Sequence, residues 1–183
     1  MISIQDANQL LEKYIQNTNL RKHCYAVESC MRFYAKKLNQ NEEDWALAGL
    51  LHDLDWETNP DTHPITAIPI LNENRVSQEI IDAILGHAYP TRSNVKRETL
   101  MAKYLFACDE LSGFIVAYSL MKPGKLNDID GVGVAKKLKD KAFAKNVSRE
   151  DIQVGLEEIG LAIEEHANNL INAMREDTRL GLS

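Results

Sequence analysis

Trp45-Ala46-Leu47-Ala48-Gly49-Leu50-Leu51-His52-Asp53-Leu54 is the stretch on which the reading of this chain turns. Apolar or small residues fill every position up to His52, so no face is left for water and the segment reads as a buried central helix. A histidine and a carboxylate then stand side by side in that run. Burying an ionised carboxylate is costly unless a positive charge compensates it. Neighbouring helical side chains point about 100° apart, so His52 and Asp53 meet only across an object between them. A divalent cation is such an object, since imidazole nitrogen and carboxylate oxygen are ordinary ligands for Zn, Mn, Fe or Co.

Working outward, the 183 residues suit one domain with a full core. Hydrophobic content of 44% and charged content of 26% are those of an ordinary globular chain. The net charge of −6 argues against a nucleic-acid groove or a membrane-surface protein. Lys136, Lys137, Lys139, Lys141 and Lys145 cluster, but among acids, and read as a solvated helix face. Cys24, Cys30 and Cys108 are odd in number and form no CxxC, which argues against disulfides and for a reducing cytoplasm. The first twenty residues lack the basic-then-apolar order of a signal peptide. Leu111 to Met121 is too short to span a bilayer.

Helical periodicity runs through the chain, with no convincing period-2 strand. Helices are expected from about Ile4 to Ile15, from near Asn19, and from after Asn41 to near Trp56. Others are expected over Ile65 to Asn72, Ser77 to Leu85 and Glu98 to Leu120. A loop through Asp128, Gly131 and Gly133 should lead to a short basic helix. Ser148 with Asp151 should cap one final long helix whose stripe is Ile152, Leu156, Ile159, Ile163 and Leu170. The expectation is a compact all-α bundle, one domain over residues 1–183, with its site in about 20–120 and the C-terminal helices packed on it.

His23 shares a face with Leu20, Val27, Cys30 and Tyr34, so it points inward. Taken alone it reads as a hydrogen-bonded core histidine. Asp109 lies mid-helix in the most apolar helix of the chain, where no cap is available and no inward Arg or Lys stands near it. Satisfying His23, His52-Asp53 and Asp109 separately would be costly, whereas one cation satisfies all four.

That order, His23, then His52-Asp53, then Asp109 on successive helices, resembles the HD superfamily of metal-dependent phosphohydrolases. The surrounding residues carry the resemblance too: Leu20-Arg21-Lys22-His23, Leu50-Leu51 before the pair, and Glu110-Leu111 after Asp109. It spans Leu20 to Leu120 and implies the HD-type helical fold. It also implies a divalent ion (Mn, Fe, Co, Zn or Mg) held by His23, His52, Asp53 and Asp109. In dinuclear members, histidines in the interval before the last aspartate bind a second metal, which makes His63 and His87 candidates for a second ion or for substrate. The chain departs from the better-known branches. Leu54-Asp55-Trp56 stands where cyclic-dinucleotide phosphodiesterases have Ile-Gly-Lys, His87 is single where they have two histidines, and Trp56 replaces the glutamate of the small deoxynucleotidases. What the resemblance implies is therefore metal and reaction class, not substrate.

Asp55 and Glu57 are the candidates for activating water, against the alternative of solvated helix-end acids. Lys103 is a candidate for meeting a phosphate oxygen, with a surface lysine as its alternative; Arg92, Lys122 and Lys125 are weaker ones. His166 reads as structural. The expected function is metal-dependent hydrolysis of a small phosphorylated metabolite or nucleotide in the cytoplasm, by one tightly held ion. The expected partner is that substrate alone, without nucleic acid or membrane, and a homodimer is compatible with the chain. Two alternatives stand beside it: an HD-type oxygenase with two irons, and a non-catalytic binding or regulatory module stabilised by a structural metal.

Overall fold

Short polar residues open the helices by taking up the free N–H groups of the first turn. Asn17 accepts from Asn19 and Leu20 (2.9 and 3.2 Å), Asn41 from Glu43 and Asp44 (3.0 and 3.3 Å), and Thr99 from Ala102 (3.2 Å). In the computed structural model, which describes residues 2–182, the helices are α1 (Ile4–Tyr14), α2 (Thr18–Lys37), α3 (Glu42–Leu51), α4 (Ala67–Glu73) and α5 (Gln78–His87). They continue with α6 (Leu100–Ser119), α7 (Gly131–Leu138), α8 (Arg149–Ile159) and α9 (Ile163–Arg175). No strand occurs among the described residues, and the fold is the all-α one expected. Among the described residues no helix is long and apolar enough to cross a membrane.

Three boundaries differ from the expectations, each for a local reason. α3 ends at Leu51, and residues 52–58 continue as tight turns rather than helix. His52 Nδ1 lies 2.8 Å from the Gly49 carbonyl, the acceptor that the Asp53 N–H would use in a continuing helix. The chain then tightens, with Leu54 N–H on Leu51 O and Trp56 N–H on Asp53 O. At the other end, α8 and α9 are two helices rather than one. Gly160 adopts φ +68° and returns its N–H to Leu156 O, a left-handed C-cap that stops α8. Finally, Gly131 and Gly133 lie inside α7, because Asp130 caps it through the Gly133 N–H at 2.7 Å.

α3, α2 and α6 form the centre, with α1 and α5 against α3 and with α8 and α9 closing over α6 and α2. Buried side chains from all these helices make one cluster. His166 of α9 is structural, as read from sequence. Tyr34 Oη lies 2.6 Å from its Nδ1, its Nε2 lies 3.0 Å from the Ala107 carbonyl, and burial pulls its pKa down to about 4.

The contact that matters most for the site is α2 on α3. At Gly49 a Cβ would stand 2.9 Å from the backbone of Glu28, so only glycine lets the two helices approach this closely. His23 lies on α2 and His52 just beyond α3, and this approach brings their rings to a centroid separation of 5.2 Å. Gly49→Ala should therefore cost about 1–3 kcal/mol by overpacking and weaken metal uptake as well. Denaturant unfolding with and without added Mn measures both. Unchanged stability would mean that the helix pair can part freely.

Candidate metal centre

Six side chains from five places in the fold converge at one end of the α2–α3–α6 core. His23 comes from α2, His52 and Asp53 from the turn after α3, His63 from the loop before α4, His87 from the end of α5 and Asp109 from the middle of α6. They form two triads, each able to hold a metal ion: His23, His52 and Asp109, and Asp53, His63 and His87. In the first, His23 Nε2 lies 2.9 Å from Asp109 Oδ1 and 3.3 Å from His52 Nε2, and His52 Nε2 lies 3.5 Å from Asp109 Oδ1. In the second, His63 Nε2 is 3.0 Å from His87 Nε2 and 3.4 Å from Asp53 Oδ1. Asp53 joins them: its Oδ2 lies 3.5 Å from His52 Nε2, and its Oδ1 faces His63.

The environment of the rings fits cations here. His52 Nδ1 is tied to Gly49 O, His87 Nδ1 to Ile84 O and His63 Nδ1 to Asp55 Oδ1, leaving every Nε2 aimed inward. A carbonyl or carboxylate behind each ring fixes the tautomer in which Nε2 carries the lone pair, the usual support of a metal-binding histidine. His63 Nε2 and His87 Nε2 face each other at 3.0 Å, so a cation between them would be coordinated by both rings. Burial, then the charge of His52, pulls the His87 pKa down to about 4, so this ring is neutral and ready to coordinate.

His52 behaves oppositely without metal. Burial works against its charge, but Asp53 and Asp109 outweigh burial and hold its pKa at about 9. Burial likewise opposes ionisation of Asp109, yet His52 and His23 keep its carboxyl well below the usual range. A proton on His52 thus occupies the position an ion would take. The linkage has a definite sign. With its folded pKa raised, His52 stabilises the metal-free protein below pH about 6.5 and loses that contribution as pH rises through about 9. Metal must displace the proton, so apparent Zn affinity should climb with pH from 7 to 9, by up to about tenfold per unit for one proton released. Calorimetric titration in buffers of different ionisation enthalpy measures the proton. An affinity flat across this range would contradict the assignment of His52 as a ligand.

The other expected site residues lie elsewhere, and their roles change. Asp55 is buried and fully engaged: Oδ1 is 2.6 Å from His63 Nδ1 and Oδ2 accepts from Ala67 N–H at 2.8 Å. Glu57 accepts from the Gln16 and Asn17 N–H groups at 2.7 and 2.9 Å, at the start of α2. Neither carboxylate faces the cleft, so the water-activating role expected of them does not fit their positions. Asp55 orients His63, and Glu57 ties the α1–α2 turn to the loop after α3. Lys103 is absent from the cleft wall, because six residues along α6 carry it to a different face from Asp109.

The cleft over the ligands has a volume of about 460 Å³. Its walls include Trp56, Arg92, Glu110 and Asp151. The Arg92 guanidinium sits 4.8 Å from the Trp56 ring centroid, and Trp56 meets His63 edge-on at 5.0 Å. Glu110 accepts from Ser148 N–H at 3.1 Å. Burial first, then Asp109, pushes its pKa up to about 7. Sequence reading gave Glu110 no role of its own, although an acid next to Asp109 on an otherwise apolar helix was the available signal. Arg97 pins the His87 corner from behind: it donates to Gly86 O and Tyr89 O at 3.0 and 2.8 Å, pairs with Glu158 of α8 and lies on the Phe106 ring.

Compared with known proteins, the HD domain family matches residues 20–113, a stretch that contains all six of these side chains. No curated protein and no solved structure matches the chain. The match covers half of the chain and agrees with the four-residue order, the helical fold and the converging donors. The chain belongs to the HD superfamily of metal-dependent phosphohydrolases.

Proposed function

We propose that this protein is a phosphohydrolase that uses two divalent ions to cleave a small phosphate ester. The observation that carries the reading is Asp53, whose two oxygens face two different histidine-containing triads. His23, His52 and Asp109 would hold one ion, and His63, His87 and Asp53 the other. The nitrogen-rich donor set favours Mn, Fe, Co or Zn over Mg. When bound, such ions supply Lewis-acid activation of the ester and of the attacking water.

The chain's own groups do the rest. Gly49 O, Ile84 O and Asp55 hold the three imidazoles in place, so little reorganisation is needed on binding. Arg92, held over Trp56, meets the phosphate from the open side of the cleft. Glu110 is the cleft acid nearest in sequence to the ligands and carries protons between water and solvent in place of Asp55 and Glu57.

The test is a screen of small phosphorylated compounds with Mn, Co, Zn, Fe and Mg, each with and without chelator. The reading expects hydrolysis that requires metal and ends with chelation. Metal-replete protein inert towards every ester would count against it. The same triads support a second reading, a two-iron oxygenase, because His63 and His87 supply histidines to a second ion. Oxygen consumption by iron-loaded protein, without phosphate release, would select that reading.

A further inference from the structure

The charges on the cleft walls say what kind of phosphate ester fits. Beyond the five proposed ligands that line it, the cleft contains one cation, Arg92, and two carboxylates, Glu110 and Asp151. Leu20, Trp56, Ala88, Gly113 and Val147 supply its apolar surface. Two dications, less the charges of Asp53, Asp109, Glu110 and Asp151 and plus Arg92, leave a net of about one positive charge facing the substrate. A single phosphomonoester, at about −1.5 to −2, already uses all of it. A polyphosphate chain would bring several further negative charges past Glu110 and Asp151, with Arg92 alone to receive them. Like charges held in a cleft of about 460 Å³ are costly to desolvate together.

The two carboxylates also need something to accept from. Asp151 is in the first turn of α8, where its N–H bonds Ser148 Oγ at 3.1 Å, and its side chain makes no hydrogen bond or ion pair with another described residue. Glu110 spends one oxygen on Ser148 N–H, and its other oxygen has no partner among the described residues. Carboxylates lining a binding cleft recognise donors, hydroxyl or ammonium groups, and do not favour anions or bare hydrocarbon. Arg92 marks the phosphate side: its guanidinium lies 4.8 Å from the Trp56 ring, which lies 5.0 Å from the ring of His63.

Resting on the phosphohydrolase reading above, we propose that the cleft selects a monophosphate ester of a hydroxyl- or amine-bearing body. Its phosphate lies between the metal centre and Arg92, and its donors bond Asp151 and Glu110. Nucleoside di- and triphosphates are rejected.

Binding to the Mn-loaded protein tests this without turnover, using hydrolysis-resistant phosphonates in calorimetry. The probes are the phosphonate analogue of glucose 6-phosphate, phosphonoethylamine, phenylphosphonate and adenosine imidotriphosphate, with free Mn held equal. The hexose or the amine probe should bind about tenfold tighter than phenylphosphonate, the size of one charge-assisted hydrogen bond, and the imidotriphosphate weakest of all. Asp151→Asn should shrink the preference over phenylphosphonate to within about threefold. Arg92→Ala should weaken every phosphonate by a similar factor. A wild-type protein that binds phenylphosphonate as well as both donor-bearing probes, or that prefers the imidotriphosphate, overturns the proposal. These outcomes are separate from failure of the hydrolase reading, which shows as absence of phosphate release from the corresponding esters while the binding preference persists.

Discussion

Asp53→Ala is expected to empty the second metal position, weaken the first and remove turnover. Its two oxygens reach towards different triads, so no other side chain replaces it. Losing a histidine's supporting partner typically costs about 10–100-fold in metal affinity or activity, and loss of a shared ligand should exceed that. The wild type should gain about 2.7 kcal/mol of stability at metal a hundred times above its dissociation constant. The variant should gain much less, and its melting temperature should barely respond to metal. Elemental analysis and thermal unfolding at several Mn concentrations measure this. Equal metal content in wild type and variant would remove Asp53 from the centre.

Asp55 should matter nearly as much, for a different reason. The sequence suggested a water-activating acid; the fold instead buries this carboxylate between His63 Nδ1 and the Ala67 N–H. Asp55→Ala leaves two buried donors without partners, at about 1–3 kcal/mol each. It also frees the His63 ring to turn, which should lower affinity at the second position by about 10–100-fold. Asp55→Asn keeps one acceptor but sets an NH₂ group against a donor, so its loss should be intermediate. Urea unfolding and metal titration of both variants check this. A variant of full stability and metal content that is nonetheless inactive would restore the water-activating role.

The contrast between Asp53 and Asp55 shows what the sequence could and could not disclose. His23, His52, Asp53 and Asp109 were legible because each is an ionisable group where helical periodicity demands apolar residues. The all-α fold was legible from the same periodicity and from caps such as Asn17, Asn41 and Ser148. The end of α3 was not, because it depends on a histidine ring competing for one carbonyl. The break at Gly160 is legible in the residue type, since glycine is the usual left-handed C-cap. His63 and His87 were legible as candidates but not as a pair. Their meeting at 3.0 Å depends on how the loop before α4 and the end of α5 are carried over the core. The roles of Asp55 and Glu57 depend on partners at Ala67 and at Gln16 and Asn17, which no local pattern reveals. The expectation of one tightly held ion rested on the missing double histidine. In the fold, His63 meets His87 from a different loop, and the proposal of two ions rests on that pairing.

The number and position of metal ions is the central claim, and anomalous scattering from crystals grown with Mn tests it most directly. The account predicts two well-occupied peaks, one among His23, His52 and Asp109 and the other between His63 and His87, with Asp53 contacting both. A single peak with His63 and His87 left facing each other, or no peak near these residues at saturating Mn, would contradict it.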